Sequence, residues 1–299
     1  MIYTVTLNPA IDYYMDFETI KMGMVNRSNS ERIAFGGKGI NVSRMLARLG
    51  FNSCAVAIVG GYTGSSLLAG LKEEGLKVKP VFTEDNTRIN VKLKDGTELN
   101  GNGPIVDGSV VEKLKKILFN SKSGDIVVFS GSICKGVPSD IYADLIEELK
   151  NRNVLTVVDT SGDALKKSVG KKPFLIKPNL HELSIFFNTE IRTKETAAEY
   201  ALKLTNEGVG NVLVSMGENG AILASDNHLY FCPAPKTAAV NTVGAGDCTL
   251  AAFIYAYLNG MSKYNSLAYA VACGSARVSS EFFPTLETVN EVYHEITEI

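Results

Sequence analysis

One short segment, residues 241–247, combines groups that can bind an anion with a group that can move a proton. Its sequence is Asn-Thr-Val-Gly-Ala-Gly-Asp, and an apolar helical stretch from Leu250 to Leu258 follows it. Small residues before a helix let backbone N–H groups converge on an anion, which the helix dipole also favours. Asp247 would then lie beside that anion. An aspartate in the first helical turn also stabilises a helix by itself, so the spacing leaves both interpretations open.

A second glycine-rich segment, residues 36–41, has the sequence Gly-Gly-Lys-Gly-Ile-Asn and opens a helical pattern. Its glycines allow the backbone to approach a ligand closely, and Lys38 could meet a phosphate as a point charge. The alternative is a turn with a solvated lysine. The chain contains no G-x-x-x-x-G-K-[ST] sequence, so neither segment is a P-loop.

Two more segments carry polar groups directly after predicted strands. Residues 177–182, Lys-Pro-Asn-Leu-His-Glu, place Asn179 and Glu182 three positions apart at a predicted helix start. This pair could orient a hydrated metal ion, or it could be a helix cap and its partner. Residues 215–220, Ser-Met-Gly-Glu-Asn-Gly, predict either a tight turn between two strands or a loop around nucleotide phosphates.

Strands and helices that alternate along the chain must position these segments. Apolar runs of strand length are typical of strands covered on both faces, and they occur at 2–7, 54–59, 126–129, 154–158, 174–176 and 212–214. Apolar residues at helical spacing lie between them. The alternation predicts an α/β layered fold with a mainly parallel sheet. Ligands bind at the carboxyl ends of strands in such sheets, where all four segments and Asp12 are expected.

Two segments, about 12–35 and about 87–100, interrupt this rhythm. The first contains polar, non-helical stretches. In the second, Ile89, Val91 and Leu93 alternate with polar residues, and Asp95-Gly96 supplies a turn. Such alternation predicts an antiparallel ribbon with one wet face. We interpret the two segments as a small sheet that projects from the main domain, either as a lid over an active site or as an edge extension.

Composition narrows the class of protein. The chain has 299 residues, of which 45% are hydrophobic and 21% charged, and its formal net charge is −2. These values favour a folded domain over a disordered chain, and they argue against a generally basic surface for nucleic acid. The longest uncharged run, between Asp247 and Lys263, is too short to span a membrane. Five scattered cysteines predict reduced thiols in a cytoplasmic protein.

The motifs resemble those of the ribokinase-like (PfkB) carbohydrate kinases, in the same order and over essentially the whole chain. The resemblance rests on residues 36–41, 179–182 and 241–247. Further matches, at 6–12, 25–27, 87–92 and 98–101, look most like the branch of bacterial 1-phosphofructokinases, with tagatose-6-phosphate kinases as close relatives. The resemblance implies a three-layer α/β fold in one domain, residues 1–299, with a small β-sheet lid that pairs in a homodimer.

The resemblance also implies a role for each matching residue. Asp247 would take the proton of the acceptor hydroxyl, and the backbone amides of Gly244, Ala245 and Gly246 would form an anion hole. ATP would be the phosphoryl donor and Mg²⁺ the cofactor. The remaining implied ligands are Asp12, Gly37 and Asn41 for sugar hydroxyls, Asn179 and Glu182 for Mg²⁺, and Lys177, Asn179, Ser215, Met216, Gly217, Glu218, Asn219, Gly220 and Gly246 for ATP.

The expected reaction is transfer of the γ-phosphoryl group of ATP to a ketohexose phosphate. Fructose 1-phosphate is the first candidate acceptor, and tagatose 6-phosphate is the alternative. Such an acceptor carries about two negative charges, and Arg27, Lys38 and Arg88 are the candidate cations that receive them. A kinase for an uncharged sugar or nucleoside would leave these cations nothing to neutralise.

Two other classes of protein are alternatives to a kinase. A dinucleotide-dependent oxidoreductase would need G-x-G-x-x-G after the first strand, where this chain has Asn-Pro-Ala-Ile-Asp at 8–12. A non-catalytic sugar-phosphate sensor with the same fold stays open, because fold alone does not determine activity.

Overall fold

The computed structural model describes residues 1–297. Its strands and helices, numbered in chain order, are β1 (Ile2–Thr6), β2 (Ala10–Asp16), β3 (Ser30–Gly36), α1 (Lys38–Arg48), β4 (Ser53–Gly60), α2 (Gly61–Glu73), β5 (Val78–Thr83), β6 (Arg88–Leu93), β7 (Glu98–Asn100), α3 (Gly108–Leu118), β8 (Ile126–Ser130), α4 (Ile141–Lys150), β9 (Leu155–Asp159), α5 (Gly162–Val169), β10 (Leu175–Ile176), α6 (Leu180–Phe187), α7 (Lys194–Asn206), β11 (Asn211–Ser215), β12 (Ala221–Ser225), β13 (His228–Cys232), α8 (Ala245–Leu258), α9 (Lys263–Val278) and α10 (Leu286–Thr297).

Nine strands form one large sheet in the order β13-β12-β11-β10-β9-β8-β1-β4-β5. All neighbours from β11 to β5 pair in parallel, and the only antiparallel pairs are β11–β12 and β12–β13, at one edge. The prediction of a mainly parallel α/β sheet is confirmed.

Both faces of the large sheet are covered, which explains why its strands are apolar throughout. In β8, Val127 and Phe129 enter the core beneath α3–α7, whereas Ile126 and Val128 enter the core beneath α1, α8, α9 and α10. Helix α2 covers the remaining part of the second face through Leu67 and Leu71. Successive residues of a strand point to opposite faces, so each central strand contributes to both cores.

The interrupting segments form a separate four-stranded sheet in the order β3-β2-β6-β7. One row of paired residues across it is apolar: Ile33, Tyr13, Val91 and Leu99. In the neighbouring row, three of the four residues are polar: Asp12, Asn90 and Asn100, with Ala34 as the fourth. The small sheet therefore has one apolar and one polar face, as the alternation at 89–93 predicts.

The carboxyl ends of the parallel strands lie along one edge of the large sheet. Strand β1 ends at Thr6, β8 at Ser130, β9 at Asp159 and β11 at Ser215, and Lys177 directly follows β10. All five cysteines are buried free thiols. Within residues 1–297 no helix combines the length and apolar character needed to cross a membrane.

Candidate active site

Asp247 lies in the first turn of α8, at the carboxyl edge of the large sheet. Gly244 caps this helix in the left-handed conformation, with φ of 82°. The Asp247 side chain is almost buried, and its Oδ2 accepts a hydrogen bond of 2.8 Å from Nδ2 of Asn41, which lies in α1. The structure therefore brings together the two strongest glycine-rich motifs, at 36–41 and 241–247.

The amides at the tip of α8 are only partly used within the protein. The Ala245 amide donates to the Thr242 carbonyl at 3.2 Å. Among residues 1–297 no acceptor pairs with the amides of Gly244 and Gly246. Free amides at a helix N-terminus form a ready site for an anion. The anion hole predicted from Gly244, Ala245 and Gly246 thus keeps two open donors, while the Ala245 amide closes a turn.

A cluster of one carboxylate and two ammonium groups lies beside this helix tip, with Asp159 and Lys177 buried and Lys38 partly exposed. Oδ1 of Asp159 is 3.2 Å from Nζ of Lys38 and 3.3 Å from Nζ of Lys177. A Cβ atom built on Gly246 would lie 3.2 Å from Nζ of Lys177, so the ammonium group lies close against the α8 tip. The cluster carries one net positive charge next to the open amides.

Asp159 is a site residue that sequence reasoning did not single out. Its side chain is fully buried at the end of β9, and its Oδ2 has no hydrogen-bond partner in the described chain. Burial opposes ionisation, but Lys177 and Lys38 together hold the pKa of Asp159 below its usual range. The sequence feature that could have identified it is an aspartate at the end of an apolar strand, at the edge of the sheet where ligands bind.

The surroundings of Asp247 raise its pKa to about 6. Burial is the main cause, and the nearby Asp159 carboxylate adds to it, whereas Lys38 and the hydrogen bond from Asn41 oppose it. Asp159 is also the main cause that raises the pKa of Lys38, with smaller contributions from Asp247 and Glu182. At neutral pH the site therefore holds an ionised Asp247 and a protonated Lys38.

Asn179 and Glu182 form a complete capping box at the start of α6. Oδ1 of Asn179 accepts from the Glu182 amide at 2.8 Å, and Oε2 of Glu182 accepts from the Asn179 amide at 2.9 Å. The cap alternative is therefore realised, yet Glu182 also lines a cavity with Lys38. Asn179 forms a parallel bridge with Ser215.

Residues 215–220 are a tight turn between β11 and β12. Gly217 and Gly220 have positive φ values of 59° and 87°. A Cβ atom on Gly220 would lie 2.0 Å from the Cys232 carbonyl oxygen, so only glycine fits there. The bridge to Asn179 brings this turn beside the 177–182 segment, as expected for two segments of one site.

Two cavities flank the 36–41 segment. The smaller, of about 310 Å³, is lined by Gly37, Lys38, Arg88 and Glu182, with Asn8, Ser132 and Thr160 among its other polar residues. The larger, of about 760 Å³, includes Asp12 and Asn41. Oδ1 of Asp12 accepts a 2.8 Å hydrogen bond from Nδ2 of Asn90, and burial raises the pKa of Asp12. The residues predicted to bind sugar are thus divided between two adjoining spaces.

The three predicted phosphate-binding cations do not all meet. Lys38 and Arg88 line the smaller cavity. Arg88 has a buried Nε without a partner in the described chain, which suits it to receive an anion. Arg27 is exposed in the loop between β2 and β3 and lines neither cavity.

Comparisons with known proteins agree with this geometry. Residues 5–282 match the sequence profile of the pfkB family carbohydrate kinases. The chain is 41% identical to the 1-phosphofructokinase of Bacillus subtilis (strain 168), over 99% of this chain and 98% of that one. It is 31% identical to a tagatose-6-phosphate kinase of Staphylococcus epidermidis, over 92% and 91% of the two chains.

Among solved structures, phosphofructokinase-2 from Escherichia coli in complex with substrates and products superimposes with a TM-score of 0.92. The two chains are 28% identical, and the match covers 99% of each. The ribokinase-like fold and the family resemblance predicted from the motifs are both confirmed. The chain belongs to the pfkB family of carbohydrate kinases.

Proposed function

We propose that the protein transfers the γ-phosphoryl group of ATP to O6 of fructose 1-phosphate and forms fructose 1,6-bisphosphate. The observation that carries this proposal is the buried Asp247 at the open-amide tip of α8, next to the Lys38–Asp159–Lys177 cluster. Phosphoryl transfer depends on alignment and on neutralising charge, and this arrangement supplies both.

The reaction needs one proton acceptor. As O6 attacks the γ-phosphorus, its bond to phosphorus forms, the bond from phosphorus to the β–γ bridging oxygen breaks, and ADP leaves. The O6 proton passes to the Asp247 carboxylate. The hydrogen bond from Asn41 orients that carboxylate, and the open amides of Gly244 and Gly246 stabilise charge on the moving phosphoryl group.

The phosphate of the acceptor fits the smaller cavity. Lys38 and Arg88 line it, and an arginine can bind a phosphate through two parallel hydrogen bonds. Asp12, on the polar face of the small sheet, and Asn41 are proposed to hold sugar hydroxyls. The small sheet then acts as a lid.

The ATP side is proposed to lie along residues 177–182 and 215–220, where Lys177 adds positive charge. The residues also fit Mg²⁺, which in kinases is bound by one or two carboxylates and the substrate phosphates. Glu182 lines the cavity and Oδ2 of Asp159 is unpartnered, while residues 1–297 contain no group of three or more metal-ligating His, Cys, Asp or Glu side chains. Bound Mg²⁺ would neutralise charge on the transferring phosphates.

The apolar face of the small sheet supports a homodimer. Ile33, Ile89 and Leu99 are 52%, 44% and 58% exposed on the same side of this sheet. Exposed apolar side chains clustered in this way mark a contact surface. We propose that two copies pair through these faces.

An acceptor panel tests the proposed function. ADP release is measured with Mg²⁺–ATP and fructose 1-phosphate, fructose 6-phosphate, tagatose 6-phosphate or free fructose, with the Asp247→Asn variant as the control for contaminating kinases. We expect the highest kcat/KM with fructose 1-phosphate. The highest value with tagatose 6-phosphate would favour the alternative acceptor. Sugar-phosphate binding without ADP release for any acceptor would favour a sensor.

A further inference from the structure

Arg277 is a buried cation that the proposed chemistry does not use. It lies near the end of α9, lines the larger cavity and is only 4% exposed, which makes it the one buried arginine in residues 1–297. Burying a charge is costly unless other groups compensate for it. The surroundings of Arg277 therefore indicate what its charge serves.

No carboxylate in the described chain forms an ion pair with Arg277. Its Nη1 donates to the carbonyl oxygens of Ser280, at 2.7 Å, and Asn241, at 3.4 Å. The ring of Phe283 lies 5.2 Å from its Cζ, and its Nε has no partner. Carbonyl dipoles and the face of one aromatic ring thus stabilise the full positive charge of Arg277. Consistent with this, burial lowers the pKa of Arg277.

This cation lies directly behind the tip of α8. Asn241 starts the loop that leads to the capping residue Gly244, and the amides of Val240 and Asn241 both donate to the Val278 carbonyl. A Cβ atom on Gly244 would lie 3.9 Å from Nε of Arg277 and 3.3 Å from the Phe283 ring. The Arg277 guanidinium group and the Phe283 ring therefore form the surface against which the loop from Asn241 to Gly244 packs.

A positive charge beside the N-terminus of α8 is unfavourable when no anion is bound there. The N-terminus of a helix already carries a partial positive charge, and a cation there repels it. An anion bound in front of the helix attracts both the guanidinium and the helix tip, and so offsets this repulsion. A structural arginine would gain more from a carboxylate partner than from this position, so the geometry points to a function that involves a bound anion.

We propose that Arg277 is a positioning residue for phosphoryl transfer. Its guanidinium holds the loop 241–244 and adds fixed positive charge behind the open amides of Gly244 and Gly246. This inference rests on the proposed function, because it assigns the transferring phosphoryl group as the anion. It extends that function by one residue, which lines the larger cavity together with Asp12 and Asn41 but belongs to none of the glycine-rich motifs.

The first test compares Arg277→Met, which removes the charge and keeps apolar bulk, with Arg277→Lys, which keeps the charge. Removing one donor that faces a reacting oxyanion lowers kcat by about 10²- to 10³-fold. Arg277 lies behind such donors, so removal of its charge should lower kcat by a smaller factor, roughly 10- to 100-fold. We expect this loss of kcat in Arg277→Met, a smaller loss in Arg277→Lys, and little change in the KM of the sugar phosphate. A wild-type kcat in folded Arg277→Met would overturn the proposal.

Chemical rescue tests the charge separately from packing. In Arg277→Ala, added guanidinium ion should restore part of kcat, with saturation at millimolar concentration. The matched control is Arg152→Ala, since Nη1 of Arg152 also donates to a carbonyl, that of Phe119 at 2.9 Å, and its Cζ lies 4.9 Å from that ring. This variant should keep wild-type kcat with and without guanidinium. Absence of rescue in a folded Arg277→Ala variant would contradict the proposal.

A binding measurement keeps the inference testable if turnover is absent or a variant unfolds. Calorimetric titration with Mg²⁺–ATP should show weaker binding to Arg277→Met than to the wild type, and an intermediate affinity for Arg277→Lys. If the wild type binds Mg²⁺–ATP but phosphorylates no acceptor, the proposed function fails, and the affinity order still tests Arg277. Equal affinities in all three proteins would overturn the role of its charge in anion binding.

Discussion

The edge of the large sheet and the small sheet contribute to the candidate site in different ways. The edge contributes Asp247, Asp159 and Lys177, all of which are buried and fixed by contacts between 2.8 and 3.3 Å. The small sheet contributes Asp12 and Arg88, which are only partly buried, on strands whose apolar face is largely exposed.

This difference separates two tasks. Reacting groups need fixed geometry and low local polarity, which the doubly covered large sheet supplies. Groups that recognise the substrate can lie on an element that moves, because binding energy can be gained when the element closes. We therefore expect edge variants to change kcat and small-sheet variants to change KM.

The largest effect is expected at the edge, in Asp247→Asn. The variant loses the proton acceptor but keeps an oxygen that can accept from Asn41, so it should fold normally. Turnover should fall by about 10²- to 10⁴-fold, the usual range for a positioned acid or base. Steady-state kinetics and thermal unfolding check this, with Asp226→Asn, an exposed aspartate after β12, as the control. Near-normal kcat in Asp247→Asn would remove its assignment as the base.

The next effect should separate two arginines associated with the small sheet. Arg88→Ala should weaken binding of the sugar phosphate by roughly 10- to 150-fold, which corresponds to about 1.5–3 kcal/mol for a charged hydrogen bond. Arg27→Ala should leave KM close to that of the wild type, because Arg27 lines neither cavity. A large rise in KM for Arg27→Ala would contradict this expectation and would mean that Arg27 contacts the bound substrate.

A smaller effect is expected on the pH dependence of kcat/KM, and it involves residues at the edge of the large sheet. Since Asp247 must be ionised and its pKa is raised to about 6, kcat/KM should fall as the pH drops below about 6. Lys38→Met removes a charge that lowers this pKa, so the acid limb should move to higher pH. Asp159→Asn removes a charge that raises it, so the limb should move to lower pH.

The control for these pH profiles is Lys115→Met, whose lysine pairs with Glu112 on α3. Its acid limb should coincide with that of the wild type. Shifts of the same sign in Lys38→Met and Asp159→Asn would show that the acid limb does not report Asp247.

The smallest effect on chemistry should follow a change on the outer face of the small sheet. Leu99→Lys places a charge in the proposed dimer contact and should convert a dimer into a monomer, measured by light scattering after size-exclusion chromatography. Leu229→Lys, at an exposed apolar position on β13, is the control. A wild-type monomer, or an unchanged mass in Leu99→Lys, would contradict pairing through the small sheet.

Local patterns predicted most of the fold and part of the site. Continuous apolar runs indicated strands covered on both faces, and the alternation at 89–93 indicated a sheet with one polar face. The glycines at 36–41 and 241–247 marked two helix tips, since only small residues permit such approaches. These features depend on residues that are neighbours in sequence, so they can be predicted from the sequence alone.

The partners of those residues depend on contacts between distant segments. Asn41 and Asp247 are 206 positions apart, and Lys38 and Asp159 are 121 positions apart. No local pattern states that Asp159 pairs with two lysines, that Arg27 lies outside both cavities, or that Arg277 stands behind Gly244. The sequence by itself determined the elements and the glycine-rich tips, because spacing and residue size act locally. Only the tertiary structure decided which charges meet, because burial and packing set their distances.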